Sequence, residues 1–192
     1  MKHWLTALIL FFTAGALLPA QEFQVGSTVS DFQVKRLDGT PASFTTLKGN
    51  VTVVIFISVQ CPVSNAYNER MNALYRDYSA KGVKFIFVNA NHSEPAAAVE
   101  AHARQHNFAF AVFKDENNVA ADKFGATVTP ETYVIDSNGT LRYHGSIDDS
   151  QNESRVTSFR LRTALDAVLA GKQPPQTETK AFGCSIKRVS RS

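Results

Sequence analysis

The sequence predicts an α/β protein with a central mixed β-sheet flanked by helices on both faces, an N-terminal β-hairpin extension and an irregular C-terminal tail. Two apolar runs, 51–58 and 83–89, are rich in β-branched and aromatic residues and have the pattern of strands buried on both faces. A helical pattern follows each run, over 62–80 and 93–106. Strand–helix–strand units of this kind place parallel strands side by side in one sheet.

Turn motifs predict two hairpins around this centre. Asp-Gly lies in the first hairpin and Asn-Gly in the second, and both pairs favour tight turns between strands. The remaining predicted elements, in chain order, are a hairpin at 32–44, a short strand at 108–113, a short helix at 117–124, a hairpin at 131–145 and a final helix at 154–170.

The first twenty residues have the layout of a secretory signal peptide. A short basic start precedes an apolar run of 14 residues at 5–18, and the small residue Ala20 follows. A membrane anchor is the alternative, but the run is shorter than the roughly 20 residues that cross a bilayer. We therefore expect a signal peptide at 1–20, one domain at 21–170 and a tail at 171–192. The protein is expected to be exported, periplasmic or secreted, with a membrane contact only if the signal segment is retained.

Charge and histidine spacing exclude several partner classes. Without Lys2, 19 basic residues face 17 acidic ones, a net charge of +2, which does not indicate a nucleic-acid partner. His102 and His106 share one face of a predicted helix, but no Glu-x-x-His pattern or neighbouring cysteine accompanies them. No metal or other cofactor is expected.

Cys61 is the residue around which chemistry is expected. It follows a predicted buried strand directly and precedes Pro62, the first residue of a predicted helix. There its sulfur faces unpaired backbone N–H groups and the positive end of the helix dipole, which favour the thiolate. An inert cysteine packed at the strand end is the alternative. The strand-Cys-Pro-helix pattern favours a reactive thiol, because it presents the side chain at the edge of the sheet.

The second cysteine, Cys184, lies in the tail within Phe-Gly-Cys-Ser-Ile at 182–186. An apolar patch inside a polar segment indicates that this part of the tail docks on the domain. An oxidising compartment permits a disulfide between the two cysteines. We expect Cys184 to pair with Cys61, during turnover or as a resting bridge; a free thiol and an intermolecular link are the alternatives.

Three stretches of sequence, taken together in this order, carry a family resemblance. They are Val-Val-Ile-Phe-Ile-Ser-Val-Gln-Cys-Pro-Val-Ser at 53–64, the segment 115–126, and Thr-Pro-Glu-Thr-Tyr-Val-Ile-Asp-Ser-Asn-Gly at 129–139. With them the chain resembles the thioredoxin superfamily, in particular exported redoxins related to the alkyl hydroperoxide reductase and thiol-specific antioxidant group. The resemblance covers about 26–169 and implies a thioredoxin-like fold.

The resemblance also implies roles for residues around the thiol. Pro130 corresponds to the cis-proline whose loop lies against Cys61, and the backbone of Thr129 would pair with an extended substrate, with Pro62 on the same substrate-binding surface. Thioredoxins use Cys-x-x-Cys, but the second position is Ser64, which excludes a disulfide within the motif. Ser64 is expected to donate a hydrogen bond to the Cys61 thiolate; a solvated helix position is the alternative.

Further departures from the family limit the chemistry. Gln60 replaces the tryptophan common before the first cysteine, and Ile55 replaces a buried acid. Peroxiredoxins place Pro where Val54 stands and Thr or Ser where Ser58 stands, so only half of that motif is present.

Three functions remain open on these observations. In a thiol-disulfide oxidoreductase, Cys61 attacks a disulfide, and Cys184 or an external thiol resolves the mixed disulfide. In a thiol peroxidase, Cys61 is oxidised to a sulfenic acid that Cys184 resolves. In a non-catalytic binding module, the two cysteines form a structural disulfide. We expect the first function, with protein thiols or disulfides as partners (peroxides in the second) and an external thiol as reductant.

Overall fold

A computed structural model describes residues 23–190, and the predicted signal peptide at 1–20 lies outside the described residues. None of the helices in this described part is long and apolar enough to cross a bilayer. The strands are β1 (Gln33–Arg36), β2 (Pro41–Ser43), β3 (Val51–Ile57), β4 (Val83–Asn89), β5 (Val112–Lys114), β6 (Val128–Thr129), β7 (Glu131–Ile135), β8 (Leu141–Gly145) and β9 (Cys184–Ser185). The α-helices are α1 (Phe44–Leu47), α2 (Pro62–Asn65), α3 (Asn68–Ser79), α4 (Ala96–Gln105), α5 (Val119–Phe124) and α6 (Arg160–Leu169).

Within residues 23–190, seven strands form one mixed sheet in the order β2-β1-β5-β4-β3-β7-β8. Strands β3, β4 and β5 are parallel neighbours, whereas β1, β2, β7 and β8 pair antiparallel with their neighbours. The register sets Ile57 opposite Asn89, and Asn89 opposite Lys114. The carboxyl ends of three strands therefore meet at one edge of the sheet, where the candidate site lies.

Strand β3 is buried on both faces because its alternate side chains enter two separate cores. Val53, Ile55 and Ile57 belong to a first core, which α3, α4 and α6 cover. Val54 and Phe56 belong to a second core, which α1 and α5 cover. Helices on both faces of a mixed sheet are the architecture that the sequence predicts.

The strand predicted at 108–113 and the final helix predicted from 154 have different bounds in the structure. The strand expected at 108–113 is confined to Val112–Lys114, because Phe108 and Phe110 turn into the first core and stack on each other. The final helix begins at Arg160 and not at 154. The carboxylate of Asp149 accepts the N–H groups of Thr157 and Ser158, at 3.0 and 3.1 Å, and holds the preceding segment out of the helix.

The tail docks on the domain. His144 N–H donates to the Thr177 carbonyl and Thr179 N–H donates to the His144 carbonyl, each at 2.9 Å, so the tail first runs beside β8. It then forms β9, in which Cys184 pairs with Thr129 of β6 in antiparallel register. Most of the tail has no regular secondary structure, yet this pairing brings Cys184 to the same edge as the end of β3.

Candidate redox site

Cys61 lies at the N-terminus of α2, four residues after the end of β3. Its sulfur accepts the main-chain N–H of Ser64 at 3.3 Å, and the residue is only 2% exposed. Pro62 is the first helical residue and is exposed. The strand-Cys-Pro-helix pattern thus folds as the sequence predicts, with the sulfur capping the helix start through the Ser64 N–H.

Ser64 supports the Cys61 sulfur through its backbone and not through the hydroxyl contact expected from the sequence. The Ser64 hydroxyl oxygen instead accepts the N–H of Ser58 at 3.1 Å. Ser64 is fully buried, so the alternative of a solvated helix position is also wrong. The helix expected over 62–80 is two helices, because α2 ends at Asn65 and α3 starts at Asn68.

The loop before β7 forms the other wall of the site. The Thr129–Pro130 peptide bond is cis, as the resemblance implies, and the Thr129 carbonyl oxygen lies 3.4 Å from the Cys61 sulfur. The edge of Thr129 that a substrate strand was expected to use is occupied by the chain's own tail. Gly183 lies so close to it that a Cβ atom there would be 1.9 Å from the Thr129 carbonyl oxygen.

Cys61 and Cys184 are free thiols that both lie against Thr129: the Cys61 sulfur is 3.4 Å from its carbonyl oxygen, and Cys184 pairs with it in β9. Burial opposes ionisation of Cys61, but hydrogen bonds from the Cys184 thiol and the Ser64 N–H outweigh it and lower the pKa of Cys61. The hydrogen bond that Cys184 donates to Cys61 raises the pKa of Cys184. Of the two thiols, Cys61 is therefore the one that ionises more readily.

Replacing Cys184 by Ala is expected to raise the pKa of Cys61, because the thiolate loses one of its hydrogen-bond donors. The ultraviolet absorbance of the thiolate, followed against pH, measures the midpoint. Ser185→Ala changes the exposed neighbour in the same strand and is the matched control, expected to titrate as the wild type. An unchanged midpoint in Cys184→Ala would show that Cys184 does not stabilise the thiolate.

A buried carboxylate, Glu94, holds the loop that precedes Cys61. Glu94 is 2% exposed and accepts the hydroxyl of Ser58 at 2.6 Å, the N–H of Gln60 at 3.0 Å and the N–H of Val59 at 3.1 Å. The Ser58 hydroxyl oxygen in turn accepts the N–H of Cys61 at 3.1 Å. The backbone entering the helix is thus bound to one carboxylate, which sequence reasoning about reactive residues missed.

Asn89 and Lys114 complete this network at the ends of β4 and β5. The Asn89 amide donates to Glu94, and the Lys114 ammonium donates to the Asn89 side chain at 2.6 Å and to the Glu94 carbonyl at 2.7 Å. Burial lowers the pKa of Lys114, and although burial opposes ionisation of Glu94, its hydrogen bonds keep the pKa of Glu94 below the usual value. The sequence signal that could have revealed this network is the polar residue at the end of each of these neighbouring parallel strands.

A second buried carboxylate, Glu131, holds the loop that contains Pro130. Glu131 accepts the N–H groups of Thr127 and Val128 at 2.8 and 3.1 Å, and the ring of His144 at 2.6 Å. Burial opposes ionisation of Glu131, but these hydrogen bonds lower its pKa. Each of the two backbone segments that flank the thiols is therefore held by its own buried anion.

The fold and the site together define a thioredoxin-like redoxin: a helix-capping cysteine faces a cis-proline loop at one edge of a mixed sheet. Residues 25–144, more than half of the chain, match the AhpC/TSA family. The chain belongs to this family.

One curated protein is similar to this chain in sequence, and two solved structures are similar to it in fold. The thiol-disulfide oxidoreductase ResA of Geobacillus thermodenitrificans is 30% identical over 118 residues, 62% of this chain and 67% of that protein. An uncharacterized conserved protein from Geobacillus kaustophilus superposes with a TM-score of 0.82 at 30% identity, covering 88% of this chain and 95% of its own. A hypothetical protein from Sinorhizobium meliloti 1021 gives a TM-score of 0.80 at 28% identity, covering 89% and 98%.

Proposed function

We propose that the protein is a thiol-disulfide oxidoreductase in which Cys61 and Cys184 form the redox pair. The observation that carries the proposal is that both cysteines lie against Thr129: the Cys61 sulfur is 3.4 Å from its carbonyl oxygen, and Cys184 pairs with it in β9. The likeness to ResA, which is named as a thiol-disulfide oxidoreductase, supports the same reaction class. The chain spans about two thirds of the length of the curated relatives it matches, so their whole activity is not carried over.

In this proposal Cys61 is the nucleophile and Cys184 is the resolving thiol. The Ser64 N–H and the Cys184 thiol stabilise the Cys61 thiolate before reaction. Oxidation joins the two sulfurs, and the two electrons pass to a disulfide substrate, which leaves as one thiol and one thiolate while Cys184 releases its proton. An external thiol returns the pair to the reduced state.

The proposal includes the surroundings of the reaction. The exposed ring of Pro62 flanks the pair and belongs to the surface that a partner would contact. Thr129 and Pro130, which were expected to bind substrate, are buried, and β9 pairs with Thr129. Protein thiols or disulfides are the proposed partners, and an exported location is proposed from the predicted signal peptide at 1–20.

A peptide map and a turnover assay together test this function. Treatment of the reduced protein with oxidised glutathione is expected to give a linked peptide containing Cys61 and Cys184, which dithiothreitol removes. Dithiothreitol-driven reduction of a disulfide-linked fluorescent peptide is expected to fall to the protein-free rate in Cys61→Ser and in Cys184→Ser, and to be unchanged in Ser185→Ala.

Other outcomes separate the alternatives. If no oxidant gives the linked peptide, the redox pair is wrong. If the protein consumes hydrogen peroxide through a Cys61 sulfenic acid but leaves the peptide substrate intact, it is a peroxidase. If a linked peptide forms in the wild type but the protein neither reduces the peptide substrate nor consumes hydrogen peroxide, the bridge is structural.

A further inference from the structure

The two cysteines of the proposed pair differ in their exposure to solvent. Cys61 is 2% exposed, and its sulfur is enclosed by the Ser64 N–H, the Thr129 carbonyl and the Cys184 side chain. Cys184 is half-buried, and its neighbours on both sides, Gly183 and Ser185, are exposed. A molecule that approaches from solvent therefore meets Cys184 before Cys61.

The cover over Cys61 is anchored on both sides of Cys184. The Phe182 ring packs against Tyr67 with 6.3 Å between ring centres and joins the first core. Ile186 is 7% exposed in the second core, and its N–H donates to the Thr127 carbonyl at 2.9 Å. Uncovering Cys61 would withdraw apolar side chains from two cores at once, which is unfavourable.

Hydrogen bonds continue the anchoring beyond Ile186. Lys187 N–H donates to the side chain of Asn91 at 2.7 Å, and His92 N–H donates to the Lys187 carbonyl at 2.8 Å. Val189 N–H donates to the side chain of Asn118 at 2.8 Å. The tail is thus a fixed part of the site, and it closes the edge of Thr129 to any other extended chain.

We propose that external thiols and disulfides exchange with this protein at the sulfur of Cys184, and that Cys61 reacts only with Cys184. This inference rests on the proposed redox pair and changes which sulfur meets the partner. It replaces the order expected from the sequence and carried into the proposed function, in which Cys61 attacks the substrate directly and Cys184 resolves the mixed disulfide. The partner contacts Cys184 on the exposed side of β9, without strand pairing to Thr129.

The exchange balances in two steps. An external thiolate attacks the Cys184 sulfur of the Cys61–Cys184 disulfide, the bond between the two cysteines breaks, and its electron pair leaves on Cys61. A second external thiolate attacks the outer sulfur of the mixed disulfide on Cys184, which releases the external disulfide and a Cys184 thiolate that takes up a proton. The Ser64 N–H stabilises Cys61 as leaving group in the first step, and a better leaving group favours attack on the other sulfur.

Trapping the mixed disulfide tests the inference with the wild-type chain. The oxidised protein is mixed with limiting reduced glutathione, quenched with acid, alkylated with N-ethylmaleimide and mapped by mass spectrometry. Glutathione is expected on the Cys184 peptide and N-ethylmaleimide on the Cys61 peptide. The same experiment in denaturant, where both sulfurs are accessible, is expected to lose this preference.

Each contrary result has its own meaning. Glutathione on Cys61 in the folded protein overturns the inference but leaves the redox pair intact. A preference for Cys184 that persists in denaturant also overturns it, because the fold would then not be its cause. Failure to form the oxidised starting material, with no peptide linking Cys61 and Cys184, overturns the proposed function and this inference with it.

Discussion

Replacing Glu94 by Gln is expected to lower the free energy of unfolding by about 3 kcal/mol at neutral pH. The carboxylate accepts four hydrogen bonds, from Ser58, Val59, Gln60 and Asn89, in a site that is 2% exposed. A glutamine amide turns one acceptor oxygen into a donor, which then faces another donor. The substitution also removes a negative charge near the buried ammonium of Lys114, the other charge of the network.

The loss is expected to depend on pH in a defined direction. The folded state holds the pKa of Glu94 below its usual value, so the ionised group stabilises the fold above the unfolded pKa of about 4.3. This stabilisation disappears as the pH falls through the lower pKa of the folded chain. The difference between wild type and Glu94→Gln is therefore largest near neutral pH and decreases in acid.

Urea denaturation at a series of pH values measures both effects. Glu100→Gln is the matched control, because Glu100 forms an exposed ion pair with Arg104 on α4, and its loss should change stability by less than about 0.5 kcal/mol. If Glu94→Gln costs no more than the control, or if its cost grows in acid, Glu94 does not hold the loop before Cys61 as an anion.

Replacing Gly183 by Ala is expected to lower the effective concentration of Cys184 at Cys61 by about tenfold or more. The new Cβ atom would lie 1.9 Å from the Thr129 carbonyl oxygen and 2.7 Å from its carbon, both backbone atoms that cannot rotate away. Gly183 also has a φ of +155°, a conformation that L residues rarely adopt. Overpacking of this kind costs about 1–3 kcal/mol, and 1.4 kcal/mol corresponds to a factor of ten in an equilibrium.

Equilibration in glutathione redox buffers, with the oxidised fraction measured by alkylation, gives this effective concentration. Gly171→Ala is the control, because Gly171 also has a positive φ, +70°, but a Cβ there would meet nothing within 4 Å. The control is expected to oxidise like the wild type. Equal oxidation of Gly183→Ala would mean that pairing of β9 with Thr129 does not place Cys184.

The centre of the fold could be predicted from the sequence because its signals are local. The apolar run of β3 predicts a strand that is buried on both faces, between two cores. The Cys61–Pro62 pair predicts a helix start without reference to any distant residue. The predicted boundaries of helices were wrong where a residue distant in sequence determines them. Asp149 competes for the N–H groups before α6, and no local pattern in 154–159 reports that competition.

The polar support of the site could not be read from the sequence for the same reason. Glu94 sits in Ser-Glu-Pro, an ordinary helix-start pattern, and only the parallel register of β3, β4 and β5 brings it beneath Ser58. The apolar patch around Cys184 indicated that the tail docks. Its pairing with Thr129, on the edge expected to receive a substrate, depends on backbone geometry that the side-chain pattern does not contain.

Because the docked tail completes the redox site, the site forms late in the synthesis of the chain. Cys184 follows Cys61 by 123 residues, so the ribosome completes and exposes Cys61 long before its partner exists. Until β9 has been synthesised and has paired with Thr129, Cys61 is an uncovered nucleophile without its resolving thiol. A nascent or C-terminally shortened chain is therefore expected to form mixed disulfides with other proteins through Cys61, and the tail ends that exposure when it docks.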